Sequence, residues 1–181
     1  MLDRSKFLPS VAAAVVAAIA GLSVPAASAA APKGPAVSKP LMKPLTAAQN
    51  ASKAEKWAEC LASAREADAL PNKTPYDVYV VNEMIGFCAV RSGDNAAAAQ
   101  ALEKSLDSEF TDAARKSTLL RSLMQLNYMA KNYPKAIEFG KRAIADGGAN
   151  EETKLLTAQA YYLQPDYKGA LAFLEGWVAD L

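Results

Sequence analysis

The sequence predicts an all-α fold built from stacked antiparallel helical hairpins, and three observations predict it. Alanine recurs through most of the chain, while β-branched runs and Gly-Asn or Asp-Gly turn signals are scarce. Alanine gives up almost no side-chain entropy in a helix, so this composition favours helix over strand. Apolar residues recur at three- and four-residue steps, as in Leu119, Leu120, Leu123 and Leu126, which mark one helix face. Finally, one local pattern occurs four times: a helix end, a polar turn, and a second helix opening on a large or polar residue. It lies at Lys53-Ala54-Glu55-Lys56-Trp57, Ser92-Gly93-Asp94-Asn95, Ala130-Lys131-Asn132-Tyr133 and Gln164-Pro165-Asp166-Tyr167. Three residues beyond each comes a small side chain, at Cys60, Ala98, Ala136 and Ala170, spaced by 38, 38 and 34 residues. A period of this length is that of stacked helical hairpins, in which each unit buries its apolar face against the next.

Taken in chain order, residues 1–29 read as an export signal rather than as part of the fold. Arg4 and Lys6 open it, Val11 to Leu22 is an unbroken apolar run, and Ala27-Ser28-Ala29 has the small-residue pattern of a cleavage site. The run is too short to remain as a transmembrane anchor. Its removal takes two of the 20 basic and one of the 19 acidic residues, leaving 18 of each. That balance lacks the basic footprint of a nucleic-acid-binding surface. The alanine-rich signal has a bacterial look, which places the mature chain in the periplasm or among secreted proteins. Residues 30–44, with prolines at 32, 35, 40 and 44 and lysines at 33, 39 and 43, read as a flexible Pro/Ala/Lys-rich leader.

The repeat domain is expected over residues 45–181, with helices at 45–52, 54–69, 75–91, 95–107, 112–130, 134–146, 151–163 and 167–179. Thr74-Pro75-Tyr76-Asp77 is a helix start: a hydroxyl cap, proline in the first turn, and a carboxylate able to reach back. Thr111-Asp112 and Asn150-Glu151 start helices in the same manner, and Gly147-Gly148 ends one. In the second unit Ile85, Gly86 and Ala89 face Ala98, Leu102 and Leu106. In the third, Ile137, Ala143 and Ile144 oppose the leucine face. Glycine and alanine at the crossing points let the helices approach closely.

These residues resemble the tetratricopeptide repeat family, and in particular its small exported bacterial members with a Pro/Ala/Lys-rich leader. Leu123, Tyr133, Ala136 and Ala143 match the family's core positions in one unit, Ala158, Tyr161, Tyr167 and Ala170 in the next, and Ile85-Gly86 with Ala98 in the second. Asn127 stands where the family often has tyrosine, and Trp177 where it prefers alanine. The resemblance spans about residues 41–181. It implies a right-handed superhelix, a tetratricopeptide-like α-solenoid of about four hairpins, with no cofactor and a groove that takes a peptide segment.

Nothing in the composition supplies catalysis. There is no histidine, which removes the usual general base near neutral pH and the commonest metal ligand. The two cysteines are not a close-spaced metal or redox pair, and Glu83, Asp94 and Asp112 read as surface or capping groups. The chain is therefore expected to be a non-enzymatic scaffold that binds a protein or peptide partner. In such stacks the first helix of each hairpin faces the concave groove. Helical spacing then puts Glu83, Phe87 and Arg91, beside Tyr79 and Val80, on that face in the second unit. Arg121, Gln125, Tyr128 and Met129 follow in the third, and Glu152, Leu155, Gln159 and Tyr162 in the fourth. Aromatic and arginine side chains are the usual anchors of interfaces, and glutamine amides can pair with a peptide backbone in both senses.

Two further expectations concern particular side chains. Cys60 and Cys88 lie 13 and 15 residues from the turn near Lys73, so in an antiparallel pair they differ in height by about 3 Å. An oxidising compartment permits a disulfide there, and the alternative is two small core residues. At the C-terminal end, Leu171, Leu174 and Val178 share one face and Phe173 and Trp177 another. Packing of the first set on Tyr161 is expected to leave Phe173 and Trp177 outside. There Trp177 either caps its own helix pair or meets a second copy in a C2 dimer, the self-assembling alternative to a peptide scaffold.

Overall fold

The computed structural model describes residues 35–179, and the expected signal and the first residues of the expected leader lie outside that range. Among the described residues eight helices follow one another and there is no strand: α1 Lys39–Lys53, α2 Trp57–Asp68, α3 Pro75–Ser92, α4 Asn95–Leu106, α5 Ala113–Met129, α6 Tyr133–Ala145, α7 Glu151–Leu163 and α8 Tyr167–Ala179. Each helix packs on its neighbours in sequence, and α1 also meets α3 as α5 meets α7. The order is that of a helical solenoid, with α1, α3, α5 and α7 as first helices and α2, α4, α6 and α8 as second helices.

The repeat is visible in the backbone. Glu55, Gly93 and Lys131, spaced by 38 residues, all take left-handed conformations with φ of 56°, 82° and 60°. In each case the next N–H closes the turn on the carbonyl five residues back: Lys56 to Ala51 (2.9 Å), Asp94 to Ala89 (2.9 Å) and Asn132 to Asn127 (2.8 Å). The fourth hairpin repeats the bond from Asp166 to Tyr161 at 3.0 Å. These are helix C-terminal caps. Only Gly93 adopts the left-handed form without a Cβ penalty, which is about 1–2 kcal/mol for other residues. Lys131→Gly is therefore expected to raise stability by about 0.5–1 kcal/mol, part of the relief being lost to the freer unfolded chain. Chemical unfolding checks this, and a loss of stability would contradict it.

The other helix starts repeat too. Thr74, Asp112 and Asn150, again 38 residues apart, cap α3, α5 and α7 by accepting from the N–H of Asp77 (3.1 Å), Arg115 (2.7 Å) and Thr153 (2.9 Å). Gly86 and Gly140 mark close crossings. A Cβ on Gly86 would sit 2.7 Å from Cγ of the buried Leu102, and one on Gly140 would sit 3.0 Å from Cβ of the buried Thr157.

The expectation of a flexible leader through residue 44 needs correction. The first helix begins at Lys39, six residues before the expected boundary, and buries Leu41, Pro44, Leu45, Ala48 and Ala51. Pro40 lies in the first turn, where no helical N–H is required, and Pro44 forgoes a single bond. The 41, 45 and 48 spacing docks one face on the core that continues to Leu156.

Candidate functional site

Polar contacts tie successive first helices together. At the N-terminal edge Ser38 donates its N–H (2.8 Å) and hydroxyl (2.6 Å) to the carboxylate of Asp77 on α3. Farther along, the Arg115 guanidinium of α5 pairs with Glu83 of α3, both side chains being largely shielded. At the next junction the Tyr128 hydroxyl of α5 donates to Oε1 of Gln159 on α7 at 3.1 Å. Burial pushes the Tyr128 phenol above its ordinary pKa, with Tyr133 adding to the shift, so the hydroxyl stays a donor through the neutral range.

The side chains expected on this face occupy different environments. Glu83 is held by Arg115, and its second carboxylate oxygen is buried with no hydrogen-bond partner among the described residues. Phe87 is half-buried edge-on against Trp57 of α2, with ring centroids 6.0 Å apart. Arg91 is exposed and lies over the same indole, 4.6 Å from its centroid. Phe87 and Arg91 thus share one aromatic platform. Arg121 is half-buried and belongs to no ion pair among the described residues. Gln125 departs from expectation: it is only 8% exposed, so its amide is not offered to a peptide. Tyr162 is 59% exposed and packs on Tyr167, the two ring centroids 5.4 Å apart.

The distribution of exposed apolar side chains is uneven. Met42 of α1, Val78 of α3, Met129 of α5, and Leu155, Tyr162 and Leu163 of α7 are the large apolar side chains exposed on the first seven helices. All lie on first helices, and α2, α4 and α6 carry none. Met42 lies between Pro40 and Pro44, and that composition reads as leader. The Leu41–Leu45–Ala48 spacing was the available signal.

The last helix also differs from expectation. Phe173 and Trp177 turn inward and Leu171, Leu174 and Val178 outward. Phe173 packs on Tyr161, with centroids 5.9 Å apart, and Trp177 lies under the Lys154 ammonium, 5.6 Å from its ring centroid. The physical reason is that Ala170 is the buried crossing residue, and Phe173 and Trp177 lie three and seven residues beyond it on the same face. The two aromatic rings there bury more area than the aliphatic set would.

Cys60 of α2 and Cys88 of α3 form a disulfide with Cα atoms 5.6 Å apart, leaving no free thiol. A cleft of about 420 Å³ opens between α4 and α6, lined by Gln100, Glu103, Asn127 and Lys135, with Lys135 on Glu103 at 2.5 Å. Among the described residues no three His, Cys, Asp or Glu side chains gather as metal ligands. Comparison with protein-family models and with curated proteins finds no match for this chain.

Proposed function

We propose that this chain is a non-catalytic scaffold of the bacterial cell envelope that binds a peptide segment or extended protein partner along the face of its first helices. The observation that carries the reading is the segregation of exposed apolar side chains. Met42, Val78, Met129, Leu155 and Tyr162 line one set of helices, while the alternate set before α8 is polar or covered. Apolar surface confined to one set of helices, with Arg91 and Arg121 on the same helices, is the make-up of an interaction site rather than of chance exposure. The inter-unit contacts Arg115–Glu83 and Tyr128–Gln159 hold that face in one shape, so little order has to be created on binding. The resemblance to tetratricopeptide repeats supports a concave groove on this side.

The periplasmic assignment rests on the signal-like N-terminus and on a disulfide, which suits an oxidising compartment. Among the described residues no helix is long and apolar enough to cross a membrane.

Peptides selected on the purified chain from a random display library test the groove. Leu155→Asp and Arg121→Ala are each expected to weaken a selected peptide by about tenfold or more, the loss of one anchor, with helicity unchanged. Peptides that bind both variants as tightly as the parent chain would remove this face as the site.

A further inference from the structure

The last helix carries a second apolar surface that the groove does not use. Tyr167, Leu171, Leu174 and Val178 are 60%, 59%, 39% and 66% exposed. Their spacing of four, three and four residues is the alternation of a coiled-coil seam, not scattered exposure. The 34-residue step from Ala136 to Ala170 also maps Leu171, Leu174 and Val178 onto Ile137, Gly140 and Ile144 of α6. In α6 that stripe meets α7, where Gly140 lies against Thr157. The α8 stripe is thus the one that a neighbouring helix covers in the preceding unit.

The charges beside the stripe select the covering helix. Lys168 and Glu175 are both exposed, and neither takes part in an ion pair among the described residues. Being seven residues apart, they fall on the same flank of the seam. When two identical helices pack antiparallel across a twofold axis, each flank faces its own copy. With the axis between Leu171 and Leu174, each Leu171 meets the second copy's Leu174, and each Tyr167 the second copy's Val178. Lys168 then lies about 3 Å along the axis from the second copy's Glu175, within reach of two long side chains. A parallel pairing would set this flank against the one holding Ala170 and Trp177, with no charge to match.

We propose that α8 is a homodimer interface, in which two copies of the chain pair their last helices antiparallel through Tyr167, Leu171, Leu174 and Val178 and exchange two Lys168–Glu175 ion pairs. The seam is about 17 Å long, so the contact is at the small end of specific interfaces and a dimer in the micromolar range is expected. Its Tyr167 end adjoins the first-helix face, because that ring packs on Tyr162.

Sedimentation of the purified chain from about 1 to 500 µM is expected to show its mass rising toward twice the monomer value, the behaviour of a micromolar dimer. Leu171→Asp should abolish the rise, with helicity kept because the residue is exposed. Lys168→Glu and Glu175→Lys, each placing like charges together, should each weaken the dimer by about tenfold. An equimolar mixture of these two variants should dimerise again, because every Glu then meets a Lys. The proposal is overturned by a wild-type chain that stays monomeric throughout, by single charge variants that dimerise as the wild type does, or by a mixture no better than its components.

Discussion

Replacing Cys60 and Cys88 together by alanine is expected to lower stability by about 3.5 kcal/mol, the loop entropy returned to the unfolded chain by a bond of this span. The two cysteines are 28 residues apart in sequence and wholly buried. The bond ties α2 of the first hairpin to α3 of the second. The other residues α2 buries are Leu61, Ala64 and Ala67, so beyond the partly buried Trp57–Phe87 contact this junction has little apolar area. Alanine is the appropriate replacement, since a serine hydroxyl at these positions would be desolvated without an assured partner. The midpoint of urea unfolding should fall steeply in the variant, and the oxidised wild type treated with reductant in denaturant should match it. A loss below about 1 kcal/mol would show that helix packing alone holds the first hairpin and that the cross-link matters little.

The second large effect is centred on Asp77, which is 0% exposed and receives four hydrogen bonds. Burial alone would raise its pKa, but the bonds from Ser38 and Thr74 outweigh burial and bring it from 3.8 down to about 2. The carboxylate is thus more stable in the folded chain than in the unfolded one. Its contribution, about 2 kcal/mol, is complete above the unfolded pKa and is lost as pH falls from about 5 toward 2. Asp77→Asn keeps the shape and removes the charge. It is expected to cost about 2–3 kcal/mol at pH 7, since one amide oxygen replaces a charged acceptor of four bonds. The gap between wild type and variant should close as the pH approaches 2. A gap that stayed constant with pH would mean that the side chain acts by shape alone. Because Ser38 supplies two of the four bonds, a chain starting at Leu45 should show part of the same loss.

That last point marks where the sequence misleads. The repeat was legible because the second helix of each hairpin needs a small residue where it packs closely, and Cys60, Ala98, Ala136 and Ala170 provide it at nearly constant spacing. Caps at Thr74, Asp112 and Asn150 were legible for the same reason: a first-turn N–H needs a side-chain acceptor, and few residue types supply one. Helix α1 was obscured by Pro40 and Pro44, which read as breakers in composition but occupy a first turn and a tolerated position next to it. The orientation of α8 is legible in the three- and four-residue steps Ala170, Phe173 and Trp177, but the row of aliphatic residues points to the other side. Gln125 was placed on the open face by helical spacing alone. Its burial depends on how closely neighbouring helices approach α5, a tertiary distance that spacing within one helix does not encode.

The central claim, that the first-helix face is the binding surface, is tested most directly by methyl resonances of methionine. Met42 and Met129, on the first helices α1 and α5, are 52% and 42% exposed, whereas Met84 and Met124 are buried at 6% and 0%. With the methionine methyls labelled and a library-selected peptide titrated in, the signals of Met42 and Met129 are expected to shift together along one binding isotherm while those of Met84 and Met124 hold their positions. Saturable binding that leaves Met42 and Met129 unmoved would contradict the account.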